Sequence, residues 1–231
     1  MSLSNFEDAG GFQVASCPGA EAPRYLEQLR KEGRSAGFTA ILLGEEEEAS
    51  MLAEDSEYSG SSLEERLRLA AEVDVDEWLK SRTGEDPEAF MAEVSGDWPD
   101  DTPQAGSMGA HLDVLSREPK EEVAIAKLPT QRNWEAPAYL GMGGWNECPD
   151  AAVITAFAKR WHERYGAEII SVTHDVMEFT VSKPPTDRES AMALAKGQYI
   201  FCTDIVDQGV GDVTTLAAML LNSNYWYFWW D

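Results

Sequence analysis

The second half of the chain alternates between two hydrophobic periods. Apolar residues recur every three or four positions between residues 151 and 165, which predicts a helix with one buried face. That face consists of Val153, Ile154, Phe157, Trp161 and Tyr165. The segments VAIAKLP, from Val123, and AEIISVT, up to Thr173, are short apolar runs of the kind that form strands.

A half-buried strand is predicted in VMEFTVS, because Met177, Phe179 and Val181 alternate with polar residues that include Glu178. Two further helices are expected, one after Pro184 and Pro185 and one capped by Asp212, followed by a terminal strand in YWYFWWD. The order β-α-β-β-α-α-β indicates an α+β domain, a mixed sheet with flanking helices.

The first half of the chain predicts a smaller acidic α/β region. FQVAS and FTAILLG are strand candidates, and a helix is expected between about Pro23 and Glu32. The stretch GEEEEASMLAEDSEYSGSS that follows is expected to be acidic and solvated. Ser62 and Glu65 have the spacing of a capping box and predict the start of another helix, which completes a β-α-β-α region.

Charge and composition divide the chain into three predicted parts. Residues 1–122 hold 29 Asp and Glu against 10 Lys and Arg, whereas residues 123–231 hold 13 against 8. Residues 95–122 are rich in Gly, Pro, Ser and Asp, which is typical of a linker or a long surface loop. We therefore predict an acidic N-terminal region over 1–94, a linker over 95–122 and a C-terminal domain over 123–231.

The formal net charge of −24 constrains the partners. Such a surface repels phosphate backbones and anionic lipids, so we expect neither nucleic acid nor a membrane as a partner. A basic protein or a cation is favoured. Three cysteines without a CxxC spacing do not make a disulfide framework, and they indicate a reducing, cytoplasmic compartment. Nothing in the sequence calls for a cofactor.

Several unusual words of the C-terminal part occur in a characteristic order. They are GGWNECP, WHERYGAE from Trp161, DVMEFTVSKPP from Asp175, CTDIVDQG from Cys202 and the terminal YWYFWWD. Through them, about residues 123–231 resemble a bacterial family known as domain of unknown function 4253. The resemblance implies a domain and a bacterial source, and it implies no activity.

The stretch GGWNECPD, residues 143–150, supports two interpretations. In the first it is only a tight turn that starts a helix, with Pro149 in the first helical turn and Cys148 or Asn146 as the cap. In the second, Cys148 at the helix N-terminus is a nucleophile activated by the helix dipole. His174 would then be its base, and Asp204 or Asp207 would orient the base.

A binding hollow is the other hypothesis for the C-terminal part. Loops that carry polar groups next to aromatic walls are the usual composition of a binding cleft. The predicted contact residues are Trp134, Trp145, Asn146, Asp175, Glu178, Asp204, Asp207, Gln208 and Trp230. The carboxylates among them could hold Ca²⁺ or Mg²⁺, but no zinc spacing is present and we predict no metal site.

Together these patterns favour a non-enzymatic acidic module that binds a basic protein, by analogy with immunity-type proteins. The alternative is a cysteine-dependent hydrolase or transferase that uses Cys148 and His174. Both hypotheses require that the loops around Trp145, Asp175 and Asp207 meet in space.

Overall fold

The computed structural model of the protein describes residues 3–84, 86–101 and 106–231. It confirms the predicted α+β class, with helices flanking one mixed sheet. The elements of the first half are β1 Glu7–Asp8, β2 Gln13–Cys17, α1 Ala22–Ala36, β3 Thr39–Gly44, α2 Glu46–Tyr58, α3 Leu63–Glu72, α4 Val75–Arg82 and α5 Pro87–Glu93. Those of the second half are β4 Val123–Leu128, α6 Ala136–Leu140, α7 Ala151–Tyr165, β5 Ala167–Val172, β6 Val176–Val181, α8 Arg188–Phe201, a π-helical turn Ile205–Val210, α9 Val213–Leu220 and β7 Tyr225–Trp229.

The seven strands form a single sheet in the order β1-β2-β4-β3-β5-β6-β7. Only the β3–β5 pair is parallel, and every other neighbouring pair is antiparallel. Strand β3, from the first half, lies between β4 and β5 of the second half. The N-terminal and C-terminal regions therefore share one continuous hydrogen-bonded sheet.

An apolar layer covers each face of this sheet. On one face, Leu26 and Leu29 of α1 pack against strand residues such as Ile125. On the other face α7, α8 and α9 enclose an aromatic cluster, in which the ring centroids of Trp161 and Phe228 are 5.0 Å apart. Trp161 is buried, as its place on the predicted helix face indicates.

Most described side chains of the acidic stretch after β3 are exposed, as the sequence predicts, but the stretch is not a loop and forms helix α2. Leu52 supplies the reason, because it is buried in the main core together with Val75 of α4 and Met91 of α5. The predicted cap before α3 is confirmed, since the Ser62 hydroxyl accepts a hydrogen bond from the Glu65 amide. Helices α2–α5 thus form an outer layer that is anchored by a few apolar side chains.

The part of the predicted linker that the structure describes is attached to the body of the protein. Residues 102–105 lie outside the described residues. After them, the Lys120 ammonium bonds the Glu48 carboxylate at 2.7 Å, and Leu112 forms a β-bridge with Pro119. Residues 106–122 therefore cover part of the sheet face that α1 leaves open.

Candidate functional site

The turn before α7 is built on two glycines in the left-handed region. Gly143 has φ +93° and Gly144 has φ +86°. The Gly144 amide donates to the carbonyls of Cys148 and Pro149, so the backbone closes on itself. The helix cap is Asp150, whose carboxylate accepts from the amides of residues 152 and 153. The expectation that Cys148 or Asn146 caps this helix is wrong, because Asp150 follows Pro149 and already satisfies those two donors.

Cys148, the predicted nucleophile, is buried, with 4% of its surface exposed. The predicted base, His174, lies in the turn between β5 and β6 and stacks on Trp145, with 4.7 Å between ring centroids and 10° between ring planes. The stack places the β5–β6 turn, which contains His174, next to the turn that contains Trp145 and Cys148. The imidazole of His174 packs flat against the indole of Trp145.

Three predicted binding residues gather around the last residues of the sequence. The Asn146 side-chain amide donates to the Asp231 carbonyl at 3.1 Å, and the Asp231 amide donates to Asp204 Oδ2 at 3.0 Å. Asp175 Oδ2 accepts from the indole nitrogen of Trp229 at 3.1 Å. We call the set Trp145, Asn146, His174, Asp175, Asp204 and residues 229–231 the C-terminal corner.

Negative charge accumulates beside this corner. Burial, followed by the charges of Asp175 and Glu178, raises the pKa of Tyr227 to about 12. Burial raises the pKa of the Cys202 thiol to about 12 as well, and this thiol donates to the Trp229 carbonyl. Because burial is the largest cause of both shifts, this environment disfavours any uncompensated charge and suits a neutral group.

Asp207 and Gln208 lie on the exposed π-helical turn. Gln208 donates to Asp204 Oδ1 at 2.9 Å and so reaches the edge of the corner. Asp207 instead accepts from the Tyr199 hydroxyl of α8 at 3.3 Å. Of the three loops that were expected to meet, those of Trp145 and Asp175 join at the corner, whereas the Asp207 side chain pairs with a helix behind it.

The Glu178 side chain is buried, although the sequence pattern predicts that it is exposed. The alternation of β6 predicts an exposed side chain, yet Glu178 is 0% exposed. Residues 106–122 cover this face, and the amides of Gly109 and Ala110 donate to the carboxylate. Ser171 and Tyr225 donate their hydroxyls to it as well. The carboxylate thus has four donors on the face opposite the aromatic cluster.

The two remaining tryptophans of the predicted set are apart from each other. Trp134 is half-buried and packs on His162, with centroids 4.6 Å apart. It lines an open groove between α3 and α7. Trp230 is 1% exposed and belongs to the aromatic core, where it contacts Phe201 and Phe228.

Metal coordination finds no support among the described residues, which contain no cluster of three or more His, Cys, Asp or Glu side chains placed to hold an ion. Asp175 and Asp204 bond donors of the C-terminal residues, and Glu178 bonds four donors of its own. Their oxygens therefore act as acceptors of protein hydrogen bonds.

The structure adds two residues that the sequence did not single out. Gln198 of α8 and Trp226 of β7 line an apolar cavity beside Asp204. A signal for Gln198 existed, since it continues the apolar face of Ala191, Leu194 and Ala195. A polar side chain on an apolar helix face needs a partner in the core.

Comparison with known proteins agrees with the resemblance of the C-terminal half. Residues 124–231 match the model of a family described as Domain of unknown function (DUF4253), so this prediction is confirmed. Neither the curated proteins nor the solved structures include a significant match to the chain. No helix in the described parts of the chain combines the length and apolar character needed to cross a bilayer.

Proposed function

We propose that this protein, whose C-terminal half belongs to a family without an assigned activity, is a non-enzymatic module that binds a basic protein. The observation that carries the proposal is that acidic residues are concentrated in one helical segment. Residues 45–101 contain 20 Asp and Glu against 4 Lys and Arg, a net charge of −16 out of the −24 of the whole chain. We call α2–α5 and the loops between and after them, residues 45–101, the acidic layer.

Most of this charge faces solvent. Seventeen of the acidic side chains that the structure describes in the acidic layer are exposed. The few cations do little to offset them, because Arg66 is buried among serine and carbonyl oxygens and Arg68 pairs with Glu72. A field of one sign accelerates the approach of an oppositely charged protein and weakens as salt is added.

The acidic layer packs against α7 and against strands β3 and β4. Besides its buried apolar anchors, Asp76 of α4 forms an ion pair with Arg160 of α7 at 2.7 Å. A charged face that is already ordered loses little conformational entropy when a partner binds. The arrangement is therefore preorganised for association.

A groove borders the acidic layer and offers a place for a partner side chain. It has a volume of about 800 Å³ and lies between Leu67 and Ala70 of α3 and Ala156 of α7. Trp134 forms part of its wall, and half-exposed tryptophans are frequent anchors at protein interfaces. We propose Trp134 as the aromatic contact of the basic partner.

The specific form of this proposal is an immunity-type protein that neutralises a basic toxin in the cytoplasm. Charge complementarity supports it, as does the low cysteine content. The C-terminal corner is the second proposed contact surface, through Trp145, Asn146, Asp175 and Asp204, with Asp207 and Gln208 at its edge.

The test is capture of a partner at low salt with wild type and two variants of equal charge. The first variant, E54Q/E57Q/E72Q/E93Q, removes four charges from the acidic layer. None of these residues lies in the first turn of a helix, so helix capping is preserved. The control, E7Q/E118Q/E121Q/E122Q, removes four exposed charges elsewhere.

We expect one basic protein to bind wild type and the control, and to bind the acidic-layer variant at least about tenfold more weakly. Salt at about 0.5 M should release it from all three. Equal binding to both variants, or the absence of any basic partner, would contradict the proposal.

The cysteine-dependent hydrolase or transferase remains the alternative proposal. It is supported by the stack of His174 on Trp145, which places an imidazole at the turn of Cys148. The burial of Cys148 weighs against it, since a nucleophile must reach its substrate. Iodoacetamide near pH 6 would modify Cys148 ahead of Cys17 and Cys202 if this alternative were correct.

A further inference from the structure

An apolar cavity of about 160 Å³ lies at the outer edge of the sheet. Its apolar walls include Ile205 of the π-helical turn, Leu216 and Leu220 of α9, and Trp226 and Trp229 of β7. Strand β7 is the last strand of the sheet, so the cavity opens where no further strand follows. An engineered cavity of about 150 Å³ with a similar apolar lining accommodates benzene. The volume therefore suits a single aromatic ring.

Two buried N–H donors line this cavity without an acceptor. Gln198 and Trp226 are each 1% exposed. Within the described ranges of the chain, neither the Gln198 side-chain nitrogen nor the Trp226 indole nitrogen has a hydrogen-bond partner. Buried polar groups in proteins nearly always have one. Two unsatisfied donors among the lining residues of one cavity support a bound molecule as the source of the acceptor.

The backbone around the cavity is also unusual. The π-helical turn contributes Ile205 and Val210 to the lining, and π-helical segments are rare and frequent at functional sites. Its preceding residue, Asp204, is fixed by bonds from Gln208 and from the Asp231 amide and also lines the cavity. A carboxylate at this position repels an anionic ligand.

We propose that this cavity binds a small uncharged aromatic molecule that carries a carbonyl-type oxygen. The ring occupies the apolar walls, and the oxygen accepts hydrogen bonds from Gln198 and Trp226. Neither of these donors belongs to the acidic layer, although Asp204 and Trp229 of the cavity also belong to the C-terminal corner. Probe binding to the isolated protein therefore tests this site without the protein partner. A failure of one proposal leaves the other intact.

The experiment uses benzamide as the probe, with toluene and benzoate for comparison. Binding is followed on the full chain by the ¹H–¹⁵N signal of the Trp226 indole, assigned with Trp226→Phe. We expect benzamide to shift this signal with a dissociation constant on the order of 1 mM. Toluene lacks the acceptor and should bind at least about fivefold more weakly. Benzoate carries a negative charge and should bind at least about tenfold more weakly.

Gln198→Leu removes one donor at similar volume, and Gln13→Leu makes the same chemical change at an exposed position of β2, near the edge of the sheet opposite β7. The first should weaken benzamide binding about five- to tenfold and leave toluene unchanged, whereas the second should change neither. Met219→Phe narrows the cavity and should abolish binding of all probes, which tests the site even if Gln198→Leu does not fold. An unshifted Trp226 signal at about 20 mM benzamide would overturn the proposal, as would equal affinity for toluene and benzamide.

Discussion

The hydroxyl of Tyr225 donates a hydrogen bond to Glu178 Oε1, with 2.5 Å between the two oxygens. Tyr225 belongs to the edge strand β7 and Glu178 to its neighbour β6. Burial, followed by the charge of Glu178, raises the pKa of the Tyr225 hydroxyl, which keeps the proton on the tyrosine. Since the amide of Gly109 donates to the same carboxylate, one buried side chain connects two strands with residues 106–122.

Replacing Glu178 by glutamine should therefore destabilise the protein strongly. The amide would present its own donors to groups that are themselves donors, and we expect a loss of about 2–4 kcal/mol in the free energy of unfolding. Urea denaturation measures this loss. Glu118→Gln is the control, because it makes the same chemical change at an exposed position and should change stability little. Equal stability of Glu178→Gln and wild type would contradict the assigned network.

The two glycines before α7 should respond differently to alanine, although both have positive φ. A Cβ at Gly143 would lie 2.0 Å from the Pro149 carbonyl oxygen, whereas a Cβ at Gly144 would meet nothing within 4 Å. Gly144→Ala should cost only the left-handed backbone penalty, about 1–2 kcal/mol. Gly143→Ala should cost at least about 3 kcal/mol, because the backbone must move. Thermal unfolding of both variants measures the difference, and equal losses would show that the turn is not closed as described.

Salt should stabilise the isolated protein. Repulsion within a chain of net charge −24 opposes the compact state, and screening reduces that repulsion. We expect Tm to rise between about 20 mM and 500 mM NaCl, by about 2–4 °C for each kcal/mol of repulsion removed. The acidic-layer variant should show a smaller rise than the control variant. A Tm that is independent of salt would mean that the acidic layer is not under electrostatic strain.

The thiols of Cys17 and Cys202 should be unreactive in the folded protein. Burial, followed by the nearby charges of Glu21 and Glu122, raises the pKa of Cys17 from 9.0 to about 11, and burial raises that of Cys202 to about 12. At pH 8 the thiolate fractions are then on the order of 10⁻³ and 10⁻⁴. Labelling at pH 8 with and without urea measures this protection. Rapid labelling of either thiol in the native protein would contradict its burial.

The same shifts fix a direction for stability at high pH. The pKa values of Cys17 and Cys202 in the folded protein lie above the ordinary value of 9.0. The stability that comes from burying these two thiols in their neutral form is therefore fully present below about pH 9. It is lost as the pH rises toward 11 and 12. Cys17→Ser and Cys202→Ser should each flatten the fall of the unfolding free energy over this range, measured by urea denaturation. A fall as steep as that of wild type would contradict the assignment.

Periodicity predicted the strands of the second half and helices α7, α8 and α9, because their apolar faces are local features of the sequence, whereas α6 and the π-helical turn were not predicted. The face of α7 and the alternation of β6 follow directly from residue spacing. Caps were predicted where the spacing is unambiguous, as at Ser62 and Asp212. The helix expected after Pro185 is α8, and its cap is Asp187, whose side chain accepts from the Ser190 amide.

Long-range packing explains what the sequence could not predict. Glu178 looked exposed because alternation cannot show that residues 106–122 cover that side of β6. The helical form of α2 was not predicted, because Leu52 is the only fully buried apolar side chain among its described residues. The cavity near Asp204 was missed since Gln198 and Trp226 are 28 residues apart in the sequence and meet only through the packing of α8 on β7.

The most direct measurement of the proposed function is the association rate constant between this protein and its captured basic partner as a function of salt. If the acidic layer guides association, the rate constant should fall at least about tenfold between 20 mM and 500 mM NaCl, with a smaller change in the dissociation rate. The acidic-layer variant should associate more slowly than the control variant of equal charge. An association rate that neither salt nor the acidic-layer substitutions alter would contradict the account.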